Sequence, residues 1–256
     1  MLYKLLLKPV LFRFDPEAVH DFFTKVGAFS SKHVFLRILV DVVYGYRGPD
    51  ISRTVDGIVY RTPFLLSAGF DYNAQLTDIL GSIGLGGEEA GSVTARACEG
   101  NPKPRLTRLP QSGSILVNKG LRNEGVDAVI KRLKKVKATG ILVGEDALRG
   151  STERARGIFQ QKNIRAPESE VVRRELGKFV VGISIARTND EQSASIEAGI
   201  EDYAYSFRRL NEENIGDYYT INISCPNSFG GEAFATPELL TRLLARLKKI
   251  SCTKPV

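Results

Sequence analysis

From residue 55 onward, short apolar segments with strand character alternate with segments of helical periodicity, and this alternation constrains the fold more than any other feature. Strands are predicted at residues 55–60 (a hairpin around Asp56-Gly57), 64–69, 88–94, 179–185 and 218–224, and helices at residues 73–83, 123–136 and 200–210 and after Thr236. Repeated strand–helix units predict a parallel sheet with helices outside it, an α/β fold. An open Rossmann-type sheet and a (β/α)8 barrel both satisfy this pattern.

Composition excludes several classes of protein. The chain has 256 residues, 43% hydrophobic and 25% charged, which suits one large or two small globular domains. Three cysteines (Cys98, Cys225 and Cys252) without a CxxC pair, and only two histidines, predict no disulfide framework, no metal site and no Ser-His-Asp triad. The net charge of +7 suits an anionic membrane surface, a nucleic acid or an anionic small molecule.

Residues 1–50 differ from the rest of the chain. No apolar run reaches transmembrane length, and residues 2–14 are amphipathic with a basic fringe. Asp15 and Pro16 predict a helix start, and a second apolar stretch covers residues 34–46. Two interpretations stay open from spacing alone: both helices pack on the rest of the domain, or they lie in a bilayer interface.

The regular rhythm is lost at about residues 138–178, a stretch rich in Arg, Glu, Gly and Gln. We interpret it as an inserted surface segment with a weak strand pattern at residues 141–143 and a short helical pattern at residues 170–176. A further strand–helix unit is the alternative.

Small and polar residues follow the predicted strands, where parallel sheets collect ligands. The most informative run is Asn222 to Asn227 (NISCPN), in which two amides flank one thiol in a loop fixed by Pro226. This combination suits recognition of an amide-like ring beside a base. Alternatively, Cys225 is a small buried apolar residue and the asparagines form turns. The dinucleotide and P-loop fingerprints are missing.

Five motifs in order, SAGFD, EAGSVT, GNPKPRLTRL, NKGLRNEGVD and NISCPN, resemble those of the dihydroorotate dehydrogenase family over residues 1–137 and 179–256. The resemblance implies an FMN-containing (β/α)8 barrel that oxidises dihydroorotate to orotate in pyrimidine synthesis. The opening LYKLLLKPVLFRFDPEAVHDFF is similar to the helical extension of the membrane-associated, quinone-dependent class. It therefore favours interfacial helices with a quinone entry path, on the cytoplasmic side of the inner membrane.

The resemblance also implies roles for individual residues. Cys225 stands at the position of the base that removes a proton from C5 of dihydroorotate while a hydride passes from C6 to flavin N5. This role requires a lowered thiol pKa or transient deprotonation. The residues implied to bind FMN are Ala68, Gly69, Ser92, Ser184 and Asn222. Those implied to bind the pyrimidine are Tyr72, Asn118, Gly120, Leu121, Asn222 and Asn227.

Five features depart from the family pattern, and one of them is the segment at about residues 138–178, which has no counterpart in that pattern. Tyr72 stands where a lysine is usual, and Ser184 where an asparagine is usual. The NKGLRN segment is one residue shorter than the common form. Cys225 is typical of the soluble class, whereas the N-terminus is typical of the quinone-linked class.

Three alternatives remain. The first is a soluble-class enzyme with another electron acceptor. The second is a tRNA-dihydrouridine synthase, disfavoured because Ser224 precedes Cys225 and because basic residues are not interleaved with exposed aromatics, so no nucleic acid is predicted. The third is a catalytically incompetent fragment. A 1–50 extension and an insertion leave residues 51–256 room for only about four strand–helix units, half a barrel, incomplete at the C-terminus.

Overall fold

The computed structural model describes residues 3–139, 178–229 and 231–256. Its strands are β1 (Arg53–Val55), β2 (Ile58–Tyr60), β3 (Leu65–Leu66), β4 (Gly87–Val93), β5 (Leu106–Leu109), β6 (Ser114–Val117), β7 (Val180–Ile185) and β8 (Tyr218–Ile221). Its α-helices are α1 (Lys8–Leu11), α2 (Pro16–Ser31), α3 (Val34–Tyr44), α4 (Thr77–Leu80), α5 (Val126–Thr139), α6 (Ile196–Glu212) and α7 (Pro237–Leu247).

The central sheet has the order β3-β4-β7-β8, with every neighbouring pair parallel. Helix α5 lies between β4 and β7 in the chain, and α6 lies between β7 and β8. The strands follow one another across the sheet in chain order, as in a (β/α)8 barrel. In a Rossmann sheet the strands are also parallel, but the later strands are added on the opposite side of the first strand. The predicted α/β fold of barrel type is confirmed, with four parallel strands in the described part of the chain.

The core lies between this sheet and helices α5, α6 and α7. Its fully buried members include Ala90, Val93, Val129, Ile183, Ile185, Leu210 and Leu243. Gly182 on β7 leaves room for the ring of Tyr218 on β8, which packs where a Cβ would stand. The predicted helix caps are also present: Asp15 Oδ1 accepts from the N–H of Ala18 at 2.8 Å, and Thr236 Oγ1 from that of Leu239 at 3.4 Å.

Several element bounds differ from the sequence-based predictions. The strand predicted at residues 64–69 is only two residues long, and the one predicted at 218–224 ends at Ile221. The helix predicted at 73–83 begins at Thr77, because the Asp71 carboxylate accepts from the N–H groups of Gln75 (2.9 Å) and Leu76 (2.6 Å) and holds this segment as a loop. The antiparallel hairpin β5–β6 was not predicted. The patterns at 141–143 and 170–176 lie outside the described residues.

Helices α2 and α3 have the reverse of the usual polarity. Their buried residues are polar: Glu17, Thr24, Ser31 and Arg37. Their exposed residues are largely apolar: Phe22, Phe23, Val26, Phe29, Val34, Phe35, Ile38, Leu39, Val42 and Val43. Phe22, Phe23 and Val26, which recur at helical spacing on α2, are therefore not buried against the described residues.

Three carboxyl groups lie beside β4 and α4: those of Glu88 and Asp71 are buried, and that of Asp78 is half-buried. Glu88 is fully buried and accepts a 2.5 Å hydrogen bond from the Thr77 hydroxyl. Burial raises the pKa of Glu88 well above its usual value, and the nearby Asp71 raises it further. Burial also raises the pKa of Asp78 to about 6, against the opposing charge of Arg37. Burial therefore favours the neutral form of Glu88 in the folded chain.

Replacing Glu88 by Gln is expected to stabilise the protein at pH 8 and to leave it nearly unchanged at pH 4. The unfolded carboxyl ionises near its ordinary pKa of 4.5, below the raised folded value, so the stability that Glu88 contributes falls as pH rises between them. Each unit of difference between the folded and the unfolded pKa corresponds to about 1.4 kcal/mol in the free energy of unfolding. Urea unfolding at both pH values measures the effect, with the exposed Glu191→Gln as control. Equal stability of Glu88→Gln and wild type at pH 8 would contradict this assignment.

Candidate functional site

Three predicted flavin-binding residues meet at the carboxyl edge of the sheet. Ser92 is the second-last residue of β4, Ser184 lies on β7, and Asn222 directly follows β8. The Ser92 and Ser184 hydroxyls are 2.7 Å apart, and Asn222 Nδ2 donates to Ser92 Oγ at 2.8 Å. The backbone N–H of Asn222 also donates to the carbonyl of Ile185 at 2.8 Å, which fixes the loop to β7. The result is a connected group of neutral hydrogen-bonding side chains.

A bare backbone surface at Ala68 and Gly69 lies next to this group and is hydrogen-bonded to the buried Gly91. Gly69 and Gly91 have φ values of +99° and +116°, which side chains rarely adopt. The N–H of Gly69 donates to the carbonyl of Gly91 at 2.8 Å, and Gly91 in turn donates to that of Asp71 at 2.9 Å. A Cβ on Gly69 would point into open space, and Ala68 beside it is small and half-buried. This surface allows a flat ligand to approach the backbone.

The predicted wall of the substrate pocket is held together by an asparagine that sequence reasoning missed. Asn101 Nδ2 donates to Asn118 Oδ1 at 2.8 Å and to the carbonyl of Asn227 at 2.9 Å. Asn227 Nδ2 donates to the Val117 carbonyl at 3.1 Å, and a second missed residue, Asn189, donates to Asn101 Oδ1 at 3.2 Å. The available signal for Asn101 was its place in the GNPKPR motif. The site is therefore richer in amides than predicted.

The turn that carries this wall is tight. Gly120 and Leu121 have φ values of +68° and +58°, and a positive φ is uncommon for leucine. A Cβ on Gly120 would collide with the amide of Asn101. The turn thus brings Asn118 and Leu121 to neighbouring positions in a short segment.

Cys225 lies half-buried, and it lines a small pocket together with Asn222 and Leu121. Burial raises the pKa of the Cys225 thiol, the N–H of Asn227 lowers it, and the charge of Glu232 raises it again, so that the net shift is upward. A resting thiolate is therefore disfavoured at neutral pH. Of the two conditions for a basic Cys225, transient deprotonation is the one that this environment allows.

Tyr72 lies on another cavity, of about 820 Å³, which α2 borders and which also has Asn101 and Arg122 in its wall. The His20 ring lies 5.1 Å from the Tyr72 ring, and the ammonium of Lys119 lies 4.9 Å from its centroid. Burial raises the pKa of Tyr72 to about 12, so its hydroxyl is a neutral donor. The two cavities share no lining residue, although Leu121 of the first adjoins Arg122 of the second.

Comparison with known proteins identifies the family. Residues 51–256 match the family model described as dihydroorotate dehydrogenase. The chain belongs to the dihydroorotate dehydrogenase family. A protein of Gloeobacter violaceus named dihydroorotate dehydrogenase (quinone) is 32% identical over 247 residues, 96% of this chain and 57% of the relative. A protein of Roseiflexus castenholzii with the same name is 30% identical, over 98% of this chain and 56% of the relative. The chain thus spans little more than half the length of these relatives.

Solved structures agree with this result. The ligand-free DHODH of Eimeria tenella superposes with a TM-score of 0.62 at 25% identity, over 92% of this chain and 52% of that one. DHODH of the same organism in complex with ferulenol gives a TM-score of 0.63 at 24% identity, which shows the shared fold. The resemblance to the dihydroorotate dehydrogenase family, carried by five motifs, is confirmed, and so is the similarity to its quinone-dependent members, which the N-terminal segment indicated.

Proposed function

We propose that this chain carries the flavin and pyrimidine sites of a quinone-linked dihydroorotate dehydrogenase, which oxidises dihydroorotate to orotate in pyrimidine synthesis. The observation that carries the proposal is the connected group of Ser92, Ser184 and Asn222 beside the half-buried Cys225. Family membership and the names of the relatives support it. The protein should lose its visible flavin absorbance when dihydroorotate is added without oxygen, and a short-chain quinone should restore it. No bleaching by dihydroorotate would overturn the proposal.

The residues at the sheet edge fit FMN. A flavin ring system offers both donors and acceptors along its pyrimidine edge, which hydroxyl and amide groups complement. Ser92, Ser184 and Asn222 would hold that edge, while Ala68 and Gly69 would let the ring lie against the backbone. FMN, when bound, supplies the hydride acceptor.

Replacing Gly91 by Ala is expected to remove most of the bound flavin. A Cβ there would lie 2.7 Å from the Ser184 carbonyl and 2.8 Å from the Val93 nitrogen, and φ is +116°, so β4 and β7 must shift at the flavin edge. The measurement is the flavin-to-protein ratio after purification. Gly113→Ala is the matched control, because its φ is also positive (+66°) but a Cβ meets nothing within 4 Å. Equal flavin content in both variants would contradict the placement of the ring.

The loop after β8 is suited to the substrate. Asn222 and Asn227 present amides that can pair with the ring carbonyl and N–H groups of a pyrimidine. Cys225 lies between them in the chain, as a base must when it removes a proton from the ring held by its neighbours. Leu121, which lines the same pocket as Cys225, would cover an apolar part of the ring.

The N-terminal extension, residues 1–50, is proposed to bind the membrane surface peripherally and to admit the quinone. Its helices α2 and α3 expose apolar side chains while their polar residues face inward. A cavity of about 360 Å³ has a mixed lining: Phe12, Phe14 and Leu106 are apolar, and Asp15, Thr107 and Arg108 are polar. The apolar part of this lining suits a quinone. None of the described helices is long and apolar enough to cross a bilayer. Such a surface on the cytoplasmic side of the inner membrane would take quinone directly from the lipid.

Replacing Phe35 and Val42 together by Asp is expected to weaken vesicle binding at least tenfold while dihydroorotate still bleaches the flavin at the wild-type rate. The two side chains are 75% and 63% exposed, and each apolar side chain transferred into lipid contributes about 1.5–3 kcal/mol. Co-sedimentation with vesicles containing anionic lipid measures binding. Phe64→Asp is the control, since Phe64 is 64% exposed on the barrel domain. Unchanged binding, or an equal loss in the control, would overturn the membrane assignment.

A further inference from the structure

Phe229, which follows Cys225 in the same loop, is bound through both of its main-chain polar groups. Its N–H donates to Asn189 Oδ1, and its carbonyl accepts from Nη2 of Arg187. Both side chains belong to the loop between β7 and α6. The Phe229 side chain is 49% exposed. Polar contacts to the β7–α6 loop, and not burial of the Phe229 ring, therefore fix this part of the Cys225 loop.

Arg187 is buried at a cost in free energy. The residue is 4% exposed, and its second terminal nitrogen, Nη1, is buried without a hydrogen-bond partner among the described residues. A buried guanidinium group with an unpaired nitrogen destabilises the folded chain. Stability alone therefore does not explain why an arginine stands here, whereas its contact with the Cys225 loop does.

A glycine inside α6 leaves the space that Arg187 occupies. A Cβ on Gly199 would lie 2.9 Å from Arg187 Cδ and 3.1 Å from two ring carbons of Phe234. The guanidinium carbon of Arg187 in turn lies 5.9 Å from the centroid of the Phe234 ring. Glycine is among the least favourable residues inside a helix, so α6 loses stability at the point where the Arg187 stem passes. The Arg187 side chain is thus confined between α6 and Phe234.

The contact at Phe229 is linked to Cys225 through the residue between them. Ser228 directly precedes Phe229, and its Oγ donates to the Cys225 carbonyl at 2.9 Å. Arg187 and Cys225 also line the same small pocket. A displacement of Phe229 would therefore be transmitted through Ser228 to the backbone of Cys225.

Arg187 also lies beside the contact that fixes the beginning of this loop. The Tyr203 hydroxyl donates to the carbonyl of Asn222 at 2.7 Å. Burial raises the pKa of Tyr203 to about 12, against the opposing effects of the N–H and the charge of Arg187, so the hydroxyl remains a donor. Arg187 is thus close to both the Asn222 end and the Phe229 end of the segment that carries Cys225.

We propose that Arg187 is a positioning residue for Cys225: by binding the Phe229 carbonyl, it keeps the Cys225 sulfur where it can accept the C5 proton of dihydroorotate. The inference rests on the proposed function, since it takes Cys225 to be the base. It adds that the rate of proton removal depends on a buried side chain of the β7–α6 loop that acts through the backbone of the Cys225 loop.

Replacing Arg187 by Met is expected to slow flavin reduction at saturating dihydroorotate about 10-fold to 100-fold, because a displacement of about 1 Å can cost that much in rate. Anaerobic stopped-flow absorbance of the flavin-loaded protein measures this step. Reoxidation of the reduced flavin by a short-chain quinone should keep its wild-type rate, since that step needs no base at C5. Arg187→Lys should recover part of the reduction rate, because an ammonium group can donate to the same carbonyl.

Arg61→Met is the matched control. Arg61 is a half-buried arginine that likewise donates to main-chain carbonyls, those of Leu85 at 2.9 Å and of Gly81, but it contacts the segment before β4 and not the Cys225 loop. Its loss should leave both rates at the wild-type value.

The double variant Cys225→Ala/Arg187→Met distinguishes positioning of Cys225 from a general loss of structure. If Arg187 acts through Cys225, adding Arg187→Met to Cys225→Ala should change the reduction rate by less than about twofold, since residues that act as a unit are not additive. Losses that multiply would show that Arg187 acts on another part of the site and would overturn the inference.

Each other outcome overturns a distinct claim. A wild-type reduction rate in Arg187→Met, or an equal loss in Arg61→Met, rejects the inference and leaves the proposed function standing. If dihydroorotate does not bleach the wild-type flavin, the proposed function fails and this inference fails with it. Should Arg187→Met not fold, Gly199→Ala takes its place, because its Cβ must displace Arg187 Cδ while alanine favours the helix. A wild-type reduction rate in Gly199→Ala would then reject the inference.

Discussion

Replacing Cys225 by Ala is expected to slow flavin reduction by dihydroorotate by about 100-fold to 10,000-fold, the contribution of a positioned general base. Alanine removes the proposed proton acceptor and leaves in place Ser92, Ser184 and Asn222, the side chains proposed to hold the flavin. Stopped-flow absorbance under anaerobic conditions measures the rate. Flavin content and orotate affinity should remain close to wild type, because neither depends on a base.

The pH dependence of the same step gives a second measurement of this residue. Burial and the charge of Glu232 raise the Cys225 pKa above its ordinary value of 9.0, against the N–H of Asn227. The basic thiolate is therefore scarce at neutral pH, and the rate of flavin reduction should climb as pH rises towards and beyond 9. Cys225→Ser should still reduce the flavin, but more slowly, and its rate should not rise with pH in this range, since a serine hydroxyl does not titrate there.

Cys252→Ala is the matched control for a lost thiol. Cys252 is also half-buried, but it lies after α7 and contacts the Lys254 carbonyl at 3.6 Å rather than any site residue. Its removal should leave the rate and the pH profile unchanged. A Cys225→Ala variant that reduces its flavin at the wild-type rate would remove Cys225 from the reaction.

The convergence of Ser92, Ser184 and Asn222 could be predicted because of a general property of parallel sheets. Adjacent parallel strands end at the same edge, so residues at the carboxyl ends of β4 and β7 and just after β8 must be neighbours wherever they stand in the sequence. The fold class followed from the same alternation of strands and helices. Their assignment to FMN itself came from motif resemblance and stays a prediction.

Other parts of the site depend on contacts between segments that are distant in the sequence. Asn101 donates hydrogen bonds to Asn118, 17 residues away, and to Asn227, 126 residues away. No local sequence pattern predicts that an asparagine makes both contacts. The start of α4 depends on where the Asp71 carboxylate points. The polar face of α2 is buried because Glu17 forms ion pairs with Arg105 and Arg122, which lie 88 and 105 residues later in the chain. Periodicity detected this helix but could not decide which of its faces is buried.

Replacing Glu17 by Ala is expected to lower the free energy of unfolding by about 3–5 kcal/mol, the usual cost of removing one partner from a buried ion pair. Glu17 is 2% exposed and Arg105 is 8% exposed, and their groups meet at 2.9–3.0 Å. Without the carboxylate, the positive charges of Arg105, Arg122 and Lys119 lie close together, and among the described residues their remaining ion pair is that of Arg122 with Asp21. Urea unfolding measures the loss.

Glu201→Ala provides the matched control, because Glu201 also pairs with an arginine, Arg246 at 2.6 Å, but its side chain is 59% exposed. Its loss should cost about 1 kcal/mol or less. The two variants should also differ in acid. Burial opposes ionisation of Glu17, yet hydrogen bonds from Arg105 and the charge of Lys119 lower its pKa below 4.5, so its stabilisation is lost as pH falls through that lowered value. The difference in free energy of unfolding between Glu17→Ala and wild type should therefore become smaller in acid. If Glu17→Ala and Glu201→Ala lose similar free energy of unfolding at pH 7, the ion pairs of Glu17 with Arg105 and Arg122 do not hold α2 to the barrel.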